Sequence, residues 1–465
     1  MTTTTMMSAK NSFDRFGDDL CQLLLTYLAI DDRLRLQSVS KQWLALIFNT
    51  QTHLVIDKNL LKRLSLDSIR DYYQTIKLFQ VIVRKCPNIT AIILSKVYLL
   101  DRFLDLLVKY CYRLRHINVR LDYDGHWSVI DVRMFDCFFR KFGQQLLTFK
   151  FDSYNTTITK KLFYKVIDSM PNLKKLDITY NSRRKSIIQL NDLIVGDMSY
   201  DLPKSLDSLN IKLNNSSVPL FSRFADIYGH KLTSLTIVSD IKIADQDLTV
   251  NCKTLIEGLA QMLRLKHLKL VLLEQLVDNF VGHLFSTIGR NCRQLKALDC
   301  MLKISSKLTI ECMFDSINKH MSRQLKLLSI NFWPNYDNQY LTLLLTSDLF
   351  NRLLGLTHLR LCSDKKFRII GDQFFRDINR NLPRLQYICC DRVFITEESI
   401  KSMGQLAHLT DVYIRCDTNT LQTSESFIKQ HLLIDSNVKY LYINNSKHVY
   451  IFKDSKYNTR HYIHI

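Results

Sequence analysis

Glycine and proline are scarce, at 11 and 6 of 465 residues. The two closest glycines, Gly282 and Gly289, lie seven positions apart. That spacing excludes a G-x-G-x-x-G fingerprint, a Walker-type phosphate loop and a G-x-S-x-G elbow, all of which need closer glycines. None of the 12 cysteines stand three apart, so zinc-ribbon and thioredoxin-type motifs are excluded. The 13 histidines form no H-E-x-x-H, and His461 and His464 have no Cys or carboxylate cluster beside them. Cys389 and Cys390 are adjacent on a predicted strand, so they point to opposite faces and cannot share one metal ion. No apolar run approaches about 18 residues, so no membrane-spanning helix is expected. The opening MTTTTMMSAK has no apolar stretch, so no secretory signal is expected. These absences point to a reduced protein with free thiols, cytoplasmic or nuclear. They predict no catalytic centre, no metal and no cofactor.

Charge is the first positive feature. There are 64 Lys and Arg against 44 Asp and Glu, a formal +20. Such a surplus favours acidic partners, whether nucleic acid, an anionic membrane surface or an acidic protein. Residues 11–48 hold four basic and five acidic side chains, so the surplus sits in the rest of the chain.

The second feature is a repeat, apolar-x-x-apolar-x-apolar, usually preceded by a helical pattern. Its first apolar positions are Ile89, Leu114, Leu146, Leu173, Leu206, Leu232, Leu265, Leu295, Leu325, Leu356, Leu385, Leu409 and Val438. Successive spacings run from 24 to 33 residues and average about 29. That is the long end of the leucine-rich class. Within each copy the later apolar residues alternate with polar ones, as in a half-buried strand. THLVID at 52–57 reads as a degenerate first strand. DRFLDLLVKY (101–110) and KKLFYKVIDSM (160–170) have helical spacing, and Thr159 and Thr396 read as N-caps. Pro87, Pro171 and Pro383 each stand two residues before an anchor, where they end a helix. Cys86, Cys111 and Cys292 stand three before an anchor, where other copies have Met or Leu, so these thiols read as core. The pattern resembles the cysteine-containing leucine-rich repeats, with irregular lengths and no Asn or Cys ladder at the strand exit. It predicts an α/β leucine-rich-repeat solenoid with parallel strands on the concave face and helices on the convex face. Residues 176, 178, 268, 270, 359 and 361 should point inward.

Residues 13–48 break the repeat and read as two or three short amphipathic helices, the first capped by Asp18 or Asp19. This segment resembles an F-box. Phe16-Gly17 stands at the Leu-Pro of that motif, Asp19-Leu20 at Glu-Leu, Leu28 at the helix end and Asp32 at the Asp. Val39-Ser40-Lys41-Gln42-Trp43 stands at the closing Val-Cys-x-x-Trp. Gly17 and Ser40 depart from the pattern, while the spacing from Phe16 to Trp43 is kept. The expected organisation is a disordered stretch at 1–10, an F-box-like module at 11–48 and linker helices with a degenerate repeat at 49–85. The solenoid follows at 86–446 and a basic-aromatic cap or tail at 447–465.

The resemblance implies the substrate-recognition subunit of an SCF-type ubiquitin ligase. An SKP-family adaptor linked to a cullin would dock on Phe16, Leu20, Leu24, Leu28, Val39 and Trp43, some of which would also pack internally. An unknown protein substrate would sit on the repeats. Two alternatives are a ligase-independent scaffold and a nucleic-acid binder. The predicted concave positions weigh against the latter. They hold Arg120, Lys150, Lys175, Lys212, Lys269, Arg360 and Arg415 against Asp152, Asp177, Asp299, Asp391 and Asp411, a nearly balanced face. RRK at 183–185 and KKFR at 365–368 read as solvated loops. The densest aromatic-basic group comprises Arg360, Tyr387, Tyr413, Arg415, Tyr440 and Tyr442, residue types enriched at binding hot spots. Tyr440 and Tyr442 could instead cap the last strand.

Overall fold

The computed structural model describes residues 17–28, 30–66, 71–95, 100–121, 132–153, 168–180, 185–186, 194–195, 198–199, 202–239, 248–275, 278–304, 306–334, 345–363, 370–421, 424–444 and 449–453. Phe16, Thr159, most of the 160–170 helix, residues 183–184 of the RRK cluster, the KKFR loop, and residues 1–16 and 454–465 lie outside them. Contacts divide the chain into two compact units, with the break between Leu206 and Asp207; residues 188–200 belong to the second.

The first unit opens with three short helices, α1 (Asp18–Thr26), α2 (Ile30–Arg35) and α3 (Lys41–Asn49). The repeat then begins one strand earlier than its first strong anchor. β1 (His53–Ile56) pairs in parallel with β2 (Ala91–Ser95), as the degenerate THLVID pattern predicts. Between them lie α4 (Lys58–Arg63) and α5 (Tyr72–Lys85). α6 (Leu100–Tyr110), β3 (His116–Arg120), α7 (Val132–Phe142), β4 (Thr148–Ser153) and β5 (Lys175–Tyr180) follow, the strands in parallel register. Rings join neighbouring helices and link helix to strand: Phe79 on α5 lies 4.7 Å from Phe103 on α6, and Phe139 on α7 lies 5.5 Å from Phe149 on β4.

The second unit repeats the plan. Its strands are β6 (Ser208–Leu213), β7 (Ser234–Ser239), β8 (His267–Gln275), β9 (Ala297–Ile304), β10 (Leu327–Pro334), β11 (His358–Ser363), β12 (Tyr387–Ile395), β13 (Asp411–Leu421) and β14 (Tyr440–Asn444). All pair in parallel. A final strand, β15 (Val449–Lys453), runs antiparallel to β14. The tail thus adds a reversed strand beside Tyr440 and Tyr442. Helices bridge the strands, among them α8 (Val218–Tyr228), α9 (Leu248–Ala260), α10 (Asp278–Asn291), α11 (Lys307–Met321), α12 (Asp372–Arg376) and α13 (Glu397–Gly404). Both units are α/β repeat solenoids in which a repeat buries its apolar face only against its neighbours.

The thirteen anchors are all buried, from Ile89 to Val438. So are Leu176, Ile178, Leu268, Leu270, Leu359 and Leu361, as the alternation requires. Cys86, Cys111 and Cys292 lie in the core, where burial pushes their thiols up to about 11, 12 and 12. Gly289 shows how closely the helices stack: a Cβ there would meet His320 Cβ of α11 at 2.5 Å. Thr396 caps α13 by accepting from Glu398 N–H, as expected.

The N-terminal cap differs from expectation. Gly17 occupies the cap position of α1, and Asp18 and Asp19 fall in its first turn. Their carboxylates complement the positive end of the helix dipole without capping it. Asp18 also accepts from Gln42 Nε2 of α3 at 2.6 Å. Ser40, a departure from the F-box pattern, caps α3 by accepting from Trp43 N–H at 3.1 Å.

Candidate protein-interaction surfaces

The first surface belongs to the helices of the first unit. On α1, Cys21 and Leu25 repeat at four-residue spacing and are fully buried. That face alone satisfies the fold. Yet Leu20, Leu23, Leu24 and Tyr27 form a second apolar face at i, i+3, i+4 and i+7, and it is open to solvent, with Leu23 53% and Tyr27 71% exposed. Val39 and Leu44 are exposed as well. A helix apolar on both sides is ordinarily buried on both sides, so an exposed second face of this kind is a candidate interaction surface.

The sequence-predicted docking residues therefore separate. Leu20, Leu24 and Val39 face outward, Leu28 is half-buried, and Phe16 lies outside the described residues. Trp43 is only 4% exposed, buried like Leu46 and Ile47 of the same helix, so it does not belong to the open face. Two side chains fasten the module. Asp31 is buried and accepts a paired hydrogen bond from Arg63 of α4, at 2.7 and 2.9 Å. The Arg63 guanidinium holds the Asp31 carboxyl below the usual carboxylate range, against the opposing effect of burial. Arg33 donates to Leu28 C=O at 3.0 Å and to Gln51 Oε1 at 2.9 Å.

The second surface is the solvent face of the sheet in the second unit. Residues two apart on a strand share a face, and parallel neighbours lie about 4.8 Å apart, so outward side chains form columns across the strands. In the last strands that column is aromatic. His358 stacks on Tyr387 at 5.7 Å, Tyr387 lies 5.5 Å from Tyr413, and Tyr413 stacks on Tyr440 at 4.9 Å and reaches Tyr442 at 6.1 Å. Tyr413 pairs in register with Cys389 and Tyr442, one row along from Tyr387 and Tyr440, so the ladder zigzags between two rows. Burial within the ladder raises the Tyr387 hydroxyl and lowers the His358 imidazole, so His358 stacks as a neutral ring at pH 7. All four predicted tyrosines are thus brought together. His358 joins them, placed on the same face by the alternation along its strand.

Arg360 and Arg415 are exposed on the same face and differ in their partners. Arg415 pairs with Asp391 on the next strand at 3.2 Å. Arg360 donates through Nε to Cys362 Sγ at 3.5 Å. Cross-strand neutralisation recurs: Lys269 pairs with Asp299 at 2.8 Å, and in the first unit Arg120 with Asp152 at 3.5 Å and Lys150 with Asp177 at 3.7 Å. Each pair stands directly opposite in register. The near balance of acid and base read from the sequence is a set of local ion pairs.

One repeated contact ties a repeat to the one before it. The residue just before an anchor donates to a backbone carbonyl of the preceding repeat: Asn88 to Asn49, Gln145 to Tyr112, Asn172 to Gln144, Gln324 to Cys292 and Asn437 to Ala407, at 2.7 to 3.4 Å. Ser205 does the same to Leu173 at 2.9 Å. The signal was a recurrent polar residue at one repeat position, at the strand start rather than the strand exit.

No family model matches the chain, and no curated protein matches it. Among solved structures, a chain from the "Crystal structure of Rad7 and Elc1 complex in yeast" matches with 12% identity and a TM-score of 0.38, covering 89% of this chain and 91% of that one. That score is too low to carry function. Among the described residues no helix is long and apolar enough to cross a membrane, and no group of three or more His, Cys, Asp or Glu could hold a metal ion.

Proposed function

We propose that this chain is the substrate-recognition subunit of an SCF-type ubiquitin ligase, a receptor without bond chemistry of its own. The observation that carries the reading is the second apolar face of α1, Leu20, Leu23, Leu24 and Tyr27, exposed on a small helical module that is already packed on its other side. The F-box resemblance of residues 16–43 gives that face its occupant, an SKP-family adaptor bridging to a cullin. The repeats then hold a protein substrate, with Arg360, Tyr387, Tyr413, Arg415, Tyr440 and Tyr442 as its contact surface. Tyr and Arg combine large contact area with a polar tip, which suits them to this role. Holding a substrate beside a charged ubiquitin carrier raises effective concentration and requires no catalytic residue here. A nucleic-acid groove is disfavoured, because basic side chains of the sheet face are committed to carboxylates on neighbouring strands.

The test is co-purification of the full chain with adaptor and cullin, combined with proximity labelling. Leu20→Ala with Leu24→Ala alters exposed positions and should leave the fold intact. Loss of an apolar anchor at an interface typically costs about 2 kcal/mol or more, roughly 30-fold in affinity. The double variant should lose the adaptor. Tyr413→Ala with Arg415→Ala should keep the adaptor and lose the captured substrates. Retention of the adaptor by the first variant would overturn the docking assignment. An unchanged capture profile for the second would place recognition elsewhere.

A further inference from the structure

The edge of the second unit where helices hand over to strands carries an unbalanced charge. Residues 261–270, 289–298 and 319–330 make this passage in three consecutive repeats and contain no Asp or Glu. Each has a lysine at the same place. Lys296 N–H donates to Lys266 C=O and Lys326 N–H to Lys296 C=O, both at 2.8 Å, so the three stand side by side in one column. Thr233 and Thr357 bound the column through the same backbone bond. Arg264, Arg293 and Arg323 lie just ahead of these lysines, and all six side chains are exposed. The ion pairs of the sheet face stop short of them: among the described residues none of the six has a carboxylate partner.

Helix ends do not account for this charge. α9, α10 and α11 finish at the same edge. Each C-terminus is worth about half a negative charge, so six cations exceed the three ends roughly fourfold. Arg293 does serve one of them, donating to Arg290 C=O at 3.4 Å.

A second row runs beside the lysines. The residue two before the anchor is Leu263, Arg293, Arg323 and Leu354 in four consecutive repeats. Leu263 is 55% and Leu354 54% exposed. A single exposed leucine is ordinary surface. Here two hold one repeat position at either end of a run of cations. Lys326 closes the far end: a Cβ added to Gly355 would stand 3.3 Å from Lys326 Nζ, so that ammonium reaches the loop carrying Leu354. In the following repeats acids return, with Asp348 and Asp377 lining a cleft beside Arg352 and Arg380.

We propose that this edge is a second protein-docking surface, which takes an extended segment acidic at its centre and apolar at each end. The dimensions carry the choice. Parallel strands lie about 4.8 Å apart, so three repeat steps put Leu263 and Leu354 about 15 Å apart. An extended chain at about 3.4 Å per residue covers that in roughly four steps. A segment of the form Leu-Glu-Glu-Glu-Leu therefore lays its ends on the two leucines and its carboxylates along the lysines. A phosphate backbone offers the leucines nothing, and neither row has an aromatic ring on which a base could stack. A bilayer surface calls for a broader apolar face than two separated side chains. The edge is distinct from the tyrosine ladder and does not depend on what that ladder holds.

The experiment follows the fluorescence anisotropy of labelled peptides on the full chain. The Leu-Glu-Glu-Glu-Leu peptide should bind, less tightly as salt rises. Ser-Glu-Glu-Glu-Ser and Leu-Gln-Gln-Gln-Leu should each bind roughly tenfold more weakly. Lys266→Gln, Lys296→Gln and Lys326→Gln together should weaken the Leu-ended acidic peptide roughly tenfold. Leu263→Ser with Leu354→Ser should erase the preference for Leu ends and leave the affinity for the Ser-ended peptide unchanged, which a loss of fold would not do. No binding of the Leu-ended acidic peptide, no preference for it over the Ser-ended one, or indifference to the three lysines would overturn the proposal. So would tighter binding through the same lysines of a short DNA duplex or of phosphatidylserine vesicles, which would assign the edge to nucleic acid or to a membrane.

Discussion

Asp31 illustrates how one buried carboxylate governs a small module. It was legible in the sequence only as part of a run, Asp31-Asp32, of which the motif alignment picked the second. Asp32 makes a long, exposed contact to Arg35 at 3.8 Å, whereas Asp31 is buried and takes the paired bond from Arg63. The difference lies in a long-range partner 32 residues away, which no local pattern encodes. Because Arg63 is itself half exposed, the pair should contribute about 1–3 kcal/mol, toward the lower end. Its pH dependence follows from the lowered pKa. The contribution is fully present above the unfolded carboxylate value of about 4 and is lost as pH falls through the lower folded value. Thermal unfolding of wild type and Asp31→Asn between pH 2 and 7 should show a constant gap above about pH 4 that closes as acid is added. A gap independent of pH would show that the side chain acts through shape alone. Trp43 teaches the complementary lesson. Its spacing was legible, but its direction was not, because an amphipathic turn does not reveal which of two apolar faces finds a neighbour within the chain.

At the scale of the element, helix starts are tied to the repeat that follows. Asp278, first residue of α10, accepts from Ser306 Oγ at 2.9 Å and from the Thr309 hydroxyl. Ser306 at the same time caps α11 through Thr309 N–H at 3.0 Å. Asp372 at the start of α12 accepts from Thr396 N–H at 2.9 Å and from Ser399, so the device recurs. One acidic residue thus sits at its own helix N-terminus and steadies the cap of the next. Asp278→Ala should cost about 1–3 kcal/mol, since it leaves two hydroxyls short of an acceptor. Chemical denaturation should register it, and amide exchange should quicken first in α10 and α11. Protection lost evenly across the second unit would argue against a local tie. The amide contacts before the anchors belong to the same scale. Both devices escaped the sequence reading because their polar residues look like ordinary surface until the repeats are stacked.

For the molecule as a whole, the fold was the most legible part. Thirteen short apolar signatures fixed the strands and their inward side, because a one-residue slip would turn every core side chain outward. A charge at Leu268 would be buried with no partner, costing several kcal/mol, so Leu268→Asp should abolish soluble expression. Lys269→Asp breaks only a partly exposed pair with Asp299 and sets two acids opposite each other. It should stay soluble with a loss of about 1 kcal/mol, read from the unfolding midpoint. Equal tolerance of the two would refute the register. The reversed strand at 449–453 has a wider consequence. A stack of like strands has no intrinsic length, since each offers the next the same slanted row of donors and acceptors. It is, in effect, a polymer with a living end. Pairing the last tyrosine strand with an antiparallel partner changes that row to alternating narrow and wide spacings. An incoming parallel strand from a second copy then meets a mismatched template. β15 is a chain terminator, the step that turns an extendable array into a molecule of fixed length.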